Sequence, residues 1–139
     1  MISTMNLKRG SEKAGLGKER IIMNRDPGCI FCRIASKEVE AKIVYEDEKI
    51  MAVEDVNPQA PTHLLVIPKS HIPTLQDIGD EESGLMDTLF FVINRMAKDR
   101  GLSEKGYRVV VNCGPAGGQT VYHLHIHLLG GRIMKWPPG

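Results

Sequence analysis

Three histidines alternate with aliphatic residues in His123-Leu124-His125-Ile126-His127, inside the β-rich run Val121 to Leu129. In an extended chain alternate residues share a face, so this spacing turns three imidazoles to one side and Leu124, Ile126 and Leu128 to the core. No β-propensity argument favours repeated His over Thr or Val, which makes a chance polar face the weaker explanation. Near pH 7 a neutral imidazole can be a nucleophile, a proton carrier or a metal ligand. One ion shared by all three is ruled out by reach. At about 3.3 Å per residue the outer pair lie on the order of 13 Å apart along a strand, whereas nitrogen ligands converge to about 2.1 Å from zinc. The row suits a division of work among an ion, a nucleophile and a proton-handling partner. The other two histidines, His63 and His71, lie upstream.

Cys29-x-x-Cys32 reads as a metal or redox pair in a reducing compartment, and alone it is half a zinc site. Cys113, the third cysteine, has no evident partner in the sequence and reads as a small loop or core thiol. Directly before the histidine run, Gly114-Pro115-Ala116-Gly117-Gly118 lets backbone N–H groups approach an anion closely. The Gln119 amide and Thr120 hydroxyl add donors suited to phosphoryl oxygens. Asp55, before Asn57-Pro58, reads by itself as a turn residue.

The elements that must position these groups are short. Ile30 to Ala35 reads as one helical turn, and Lys42 to Tyr45 with Ile50 to Val53 as a hairpin around Glu46-Asp47-Glu48. His63 to Ile67 forms a third strand that Pro68 ends. Between Glu82 and Arg100, Leu85, Leu89, Val92, Ile93, Met96 and Ala97 recur at steps of three and four, the stripe of an amphipathic helix capped by Gly101. Tyr107 to Asn112 and Val121 to Leu129 supply two more strands. About five strands in consecutive antiparallel pairings, one long helix and a short N-terminal helix predict an α+β domain over residues 26–139.

The chain has 139 residues, 42% hydrophobic and 25% charged, the make-up of one globular domain. Its formal charge is +1, which disfavours a sequence-blind nucleic-acid binder. No apolar run reaches a membrane span or a signal-peptide core, and a cytoplasmic protein is expected. Residues 1–25 carry net +4 against −3 for the remainder, with almost no apolar periodicity, and are expected to form a disordered basic leader.

Tyr122-His123-Leu124-His125-Ile126-His127-Leu128-Leu129 resembles the His-φ-His-φ-His-φ-φ motif of the histidine triad superfamily. Asp55 to His63, Ile67-Pro68-Lys69-Ser70-His71, Gly117 to Val121 and the ending Gly130 to Gly139 are similar to its Hint branch, in the same order along the chain. The resemblance, from Cys29 to Gly139, implies a homodimeric α+β nucleotide-binding fold. It also implies hydrolysis of purine nucleoside phosphoramidates, with polyphosphate or adenylyl sulfate hydrolysis, or a protein-binding adaptor, as rivals.

By that resemblance His125 is the nucleophile, its other ring nitrogen donating to the backbone carbonyl of His123, while His127 and His63 handle the leaving-group proton. Asp55 would take the ribose hydroxyls. Ile30, Phe31, Ile34, Val53 and Leu65 would line the base, and Asn112, Gly118, Gln119 and Thr120 the phosphate side. Bottom-up, each apolar residue is equally suited to ordinary core. Val53 stands where relatives often have a larger aromatic, and Thr120 where many have Ser. Cys29, Cys32, His71 and His123 match a structural zinc site of bacterial members, a closed Cys2His2 tetrahedron. Trp136 would reach toward the partner protomer.

Overall fold

The computed structural model describes residues 25–139, so the expected leader lies outside the described residues apart from Arg25. Helix α1 spans Ile30–Ala35, followed by β1 (Ile43–Glu46), β2 (Ile50–Glu54) and β3 (Thr62–Pro68). Two single 3-10 turns lead into α2 (Ser83–Asp99), and β4 (Tyr107–Val110) and β5 (Ile126–Gly130) complete the domain. The α+β expectation holds: five strands form one antiparallel sheet in the order β1-β2-β3-β5-β4.

The strand order corrects the expectation of consecutive pairing. The last strand inserts between β3 and β4, and α2 carries the chain across the gap that β5 later fills. Such a connection needs a dozen or more residues, which the segment between Pro68 and Tyr107 supplies.

Alternation along the strands divides the apolar residues between two faces. Ile50, Ala52, Leu64, Val66, Leu124, Ile126 and Leu128 pack with Leu89, Val92, Ile93, Met96 and Ala97 of α2. Met51, Val53, Leu65 and Ile67 pack on the opposite face with Cys29, Phe31, Cys32, Ile34 and Ala35. The helical stripe is therefore the one its spacing predicts, with Leu85 partly buried against the same cluster.

The end of α2 is fixed locally. Gly101 adopts φ 73°, its N–H bonds the carbonyl of Lys98 and the next N–H, of Leu102, bonds the carbonyl of Ala97. These are the two bonds of a Schellman cap, and Leu102 buries itself in the α2-side core.

Residues Val121 to His125 are not part of the sheet ladder, contrary to the continuous strand read from sequence. Pro68, which has no N–H, ends β3 just beyond Val66, the partner of Ile126. On the other side β4 ends at Val110, opposite His127. The approach segment bonds elsewhere, through the Leu124 N–H to the carbonyl of Ile72 at 2.6 Å. The alternation of faces survives: Leu124 joins the α2-side core, while the rings of His123 and His125 lie against Phe31 of α1.

Candidate active site and metal centre

His63 on β3 and His127 on β5 are diagonal neighbours, because Leu65 is the direct partner of His127 and His63 that of Leu129. Their imidazoles meet with His63 Nε2 2.9 Å from His127 Nδ1. The surrounding partners assign the protons. The backbone N–H of Gln59 donates to His63 Nδ1 at 3.0 Å, so that nitrogen carries the lone pair and neutral His63 bears its hydrogen on Nε2. His63 Nε2–H therefore donates to His127 Nδ1, which leaves the hydrogen of neutral His127 on Nε2. Burial holds the His63 pKa below the usual imidazole value against the opposing charge of Asp55. Burial, reinforced by His125 and His63, pushes His127 down to about 4. Both rings are neutral at pH 7.

His125 has the reverse arrangement. Its Nδ1 donates to the carbonyl of His123 at 2.7 Å, and since a carbonyl only accepts, the lone pair resides on Nε2. The His125 and His127 ring centroids are 5.2 Å apart, and the Phe31 ring presses on His125 at 5.1 Å. A ring with a free lone pair thus stands beside a ring with a free N–H, an arrangement suited to nucleophilic attack with a hydrogen bond to the leaving group.

Asp55 Oδ1 accepts the N–H of Asn57 at 2.8 Å, so the turn read from sequence forms, while Oδ2 lies 3.4 Å from His63 Nε2. Asp55, His63 and His127 are close enough together to ligate an ion. The hydrogen bonds oppose it, because His63 Nε2 would have to surrender its hydrogen to Nδ1, which faces the Gln59 N–H donor.

A second cluster brings together Cys29 and Cys32 at the start of α1, His71 after β3, and His123. Cys29 Sγ is 3.3 Å and Cys32 Sγ 3.6 Å from His123 Nδ1, Cys32 Sγ is 3.4 Å from His71 Nδ1, and the two Nδ1 atoms are 3.2 Å apart. Zinc bonds of about 2.3 Å to sulfur and about 2.0–2.1 Å to nitrogen give tetrahedral edges of roughly 3.3 Å between nitrogens, 3.6 Å between nitrogen and sulfur and 3.8 Å between sulfurs. The four measured pairs lie close to that spacing, and all four donors are within 4.8 Å of one another.

The outer atoms agree. His123 Nε2 donates to the carbonyl of Pro68 at 2.7 Å, which leaves Nδ1 bare for a cation. His71 Nε2 faces Asp26 Oδ2 at 3.8 Å, and the Asp26 N–H points at Cys32 Sγ from 3.4 Å. Burial pushes His123 down to about 4, the ligand form. Burial also pushes the Cys32 thiol up to about 11, an environment in which a thiolate needs a cation beside it.

Residues 36–134 match the HIT domain family. The chain belongs to the HIT family. A 14 kDa zinc-binding protein of Zea mays is 50% identical to it over 116 residues, covering 82% of this chain and 90% of that one. A HIT family hydrolase from Legionella pneumophila superposes with a TM-score of 0.80 at 53% identity, over 81% of this chain and all of that structure. A zinc-bound histidine triad family protein from Mycobacterium smegmatis superposes at 0.65 with 37% identity, over 76% of each chain.

In this HIT protein, Phe31, Ile34, Val53 and Leu65 are buried in the core beneath α1, and Ile30 is partly exposed at its start. Gln119 departs from its expected role as a free side-chain donor. Its Nε2 donates to the carbonyls of Pro73 and Val121, and its Oε1 accepts the N–H of Gly114, so the buried carboxamide braces the glycine loop from within. The N–H groups of Gly117, Gly118 and Gln119 also bond loop carbonyls. The Asn112 amide and Thr120 hydroxyl have no side-chain partner among the described residues. Gly117 sits so close to Cys113 that a Cβ there would lie 2.6 Å from the Cys113 carbonyl. Sequence reading missed Gln59 and the Pro68 carbonyl, since a backbone N–H or C=O has no residue-type signature.

Proposed function

We propose that this HIT protein is a Hint-type purine nucleoside phosphoramidase, a hydrolase acting on adenosine 5′-phosphoramidate and related AMP derivatives through a nucleotidyl-histidine. The observation that carries the reading is the opposite tautomer of two adjacent rings, with His125 offering a lone pair and His127 an N–H. His125 Nε2 attacks phosphorus and forms the P–N bond, the bond to the leaving amine breaks with its electron pair on that nitrogen, and the nitrogen takes a proton from solvent while neutral His127 Nε2–H hydrogen-bonds to it. Water then attacks phosphorus, the P–N bond breaks with its electron pair returning to His125 Nε2, AMP leaves and the surplus proton of the water returns to solvent. Asp55 holds the ribose hydroxyls. Ile30, Phe31, Ile34, Val53 and Leu65 face the purine, and Asn112, Gly118 and Thr120 contact the phosphate.

Cys29, Cys32, His71 and His123 would hold one structural zinc, which when bound ties α1 to the catalytic segment. The zinc-binding maize relative and the zinc-bound mycobacterial neighbour support that choice of ion. The protein works as a cytoplasmic homodimer in this reading, with protomers pairing through α2 and the β4 edge. Phe90 and Phe91 on the outer side of α2 and Tyr107 at the β4 edge are exposed, consistent with a covered surface. None of the described helices is long and apolar enough to cross a membrane.

Steady-state turnover of adenosine 5′-phosphoramidate against a dinucleoside polyphosphate tests the substrate class. The proposal expects the phosphoramidate to have the higher kcat/KM, and the reverse order would replace it with a polyphosphate hydrolase.

A further inference from the structure

The Gln59 N–H on His63 Nδ1, with Asp55 Oδ2 3.4 Å from His63 Nε2, keeps the His63 hydrogen on Nε2 and so the His127 hydrogen on its outer nitrogen, and the first of these contacts comes from a loop peptide. That loop, Asp55 to Pro61, is held from within by the Asn57 N–H on Asp55 Oδ1 and by Gln59 Nε2 on the Asn57 carbonyl. From outside it is held by the segment leaving β5. Arg132 Nε donates to the carbonyl of Gln59 at 3.0 Å, and its Nη1 donates to the carbonyl of Ile133. Gly131, at φ 95°, lies so close that a Cβ would sit 2.8 Å from Cβ of Pro61. Gln59 thus gives its N–H to His63 and its carbonyl to Arg132.

We infer that Arg132 is a positioning residue that fixes the His63 tautomer through Gln59, so that the C-terminal segment keeps the His127 N–H turned into the active site. The kinetic part of this inference rests on the phosphoramidase reading, while the tautomer part stands on hydrogen-bond geometry alone. With Arg132 absent, Gln59 can turn its N–H away. His63 is then free to carry hydrogen on Nδ1 and accept at Nε2, and His127 loses the arrangement that keeps its hydrogen on Nε2.

Long-range proton–nitrogen correlation spectra of the histidine rings in the zinc-loaded protein test the inference directly. The wild type is expected to show His63 with a bare Nδ1 and a protonated Nε2, and a protonated Nδ1 would overturn the scheme without any mutation. In Arg132→Ala the two His63 nitrogens should move toward an averaged tautomer, kcat should fall about tenfold and KM should change little. Arg132→Lys, which retains a donor, should recover most of both. Gly131→Ala displaces Pro61 while keeping Arg132, and should disturb the His63 nitrogens by an independent route. A wild-type nitrogen pattern in Arg132→Ala would refute the clamp. Absence of phosphoramidate turnover in the wild type would remove the functional reading, and the nitrogen pattern alone would then decide whether the clamp exists.

Discussion

Two pairs of histidines meet at nearly the same nitrogen-to-nitrogen distance, 3.2 Å for His71 and His123 beyond the strand ends and 2.9 Å for His63 and His127 within the sheet. What separates them is the partner on the far side of each ring. His123 spends its hydrogen outward on the Pro68 carbonyl, so bare nitrogen turns inward to meet two thiols, in a cluster that could hold a cation. His63 receives a hydrogen bond on its far nitrogen from Gln59, so N–H turns inward and the pair is completed by its own proton. Identical side chains present a bare nitrogen suited to a metal or an N–H suited to a hydrogen bond according to whether a backbone carbonyl or a backbone N–H stands behind them. His125 sits between the two groups, and the His123 carbonyl gives it the lone pair that neither neighbour has to spare.

The largest effect expected from breaking this division is at His125. His125→Ala should lower phosphoramidate turnover by several powers of ten while leaving AMP affinity near wild type, because the ring forms a bond to substrate and the pocket binds through other groups. Turnover within about tenfold of wild type would remove the nucleophile assignment.

His127→Gln should cost about a hundredfold in kcat, because the N–H held against the leaving nitrogen is displaced. The same variant sharpens the contrast through pH. The folded-state pKa of His127 lies at about 4, below the ordinary 6.5, so unfolding takes up protons. Its stability contribution is present above pH 6.5 and is lost as pH falls toward 4. Urea titrations across that window should show wild-type stability declining with acid, and a shallower decline in His127→Gln. Equal slopes would mean that His127 is not buried neutral.

On the metal side, Cys32→Ser should abolish zinc retention and lower stability by roughly 2–4 kcal/mol, or on the order of 10 °C in Tm, as loss of a structural metal does. Elemental analysis and thermal unfolding read both. Cys32→Ser with one zinc still bound per chain would break the donor set. Asp55→Ala should have a smaller and more selective effect: AMP binding weakens by about tenfold, and binding of 2′,3′-dideoxy-AMP changes little. Equal losses for both ligands would exclude Asp55 from the ribose.

Local periodicity makes much of this legible in the sequence. The alternation of Leu124, Ile126 and Leu128 marks the core side of the catalytic segment even where the ladder has stopped, because a side chain's face depends on extended backbone and not on strand pairing. The α2 stripe and its glycine cap are similarly local. Cys29 and Cys32 are legible from their own spacing as half a metal site, but His71 and His123 join them only through resemblance, since Cys29 and His123 are 94 residues apart. The insertion of β5 between β3 and β4 depends on long-range pairing that no local pattern encodes. Gln119 misleads for the same reason: its amide is a plausible donor to phosphate until Pro73, 46 residues away, takes it.

The most direct test of the account is to find where the nucleotide goes in a single turnover. Enzyme in excess over adenosine 5′-phosphoramidate, quenched within the first turnover and mapped by mass spectrometry, should carry AMP on His125. The adduct should appear both in zinc-loaded protein and in the folded fraction that survives chelation, because the metal cluster holds the fold and the relay handles the proton. An adduct on another residue, none at all, or one that forms only with metal bound would contradict the division of labour between the two histidine groups.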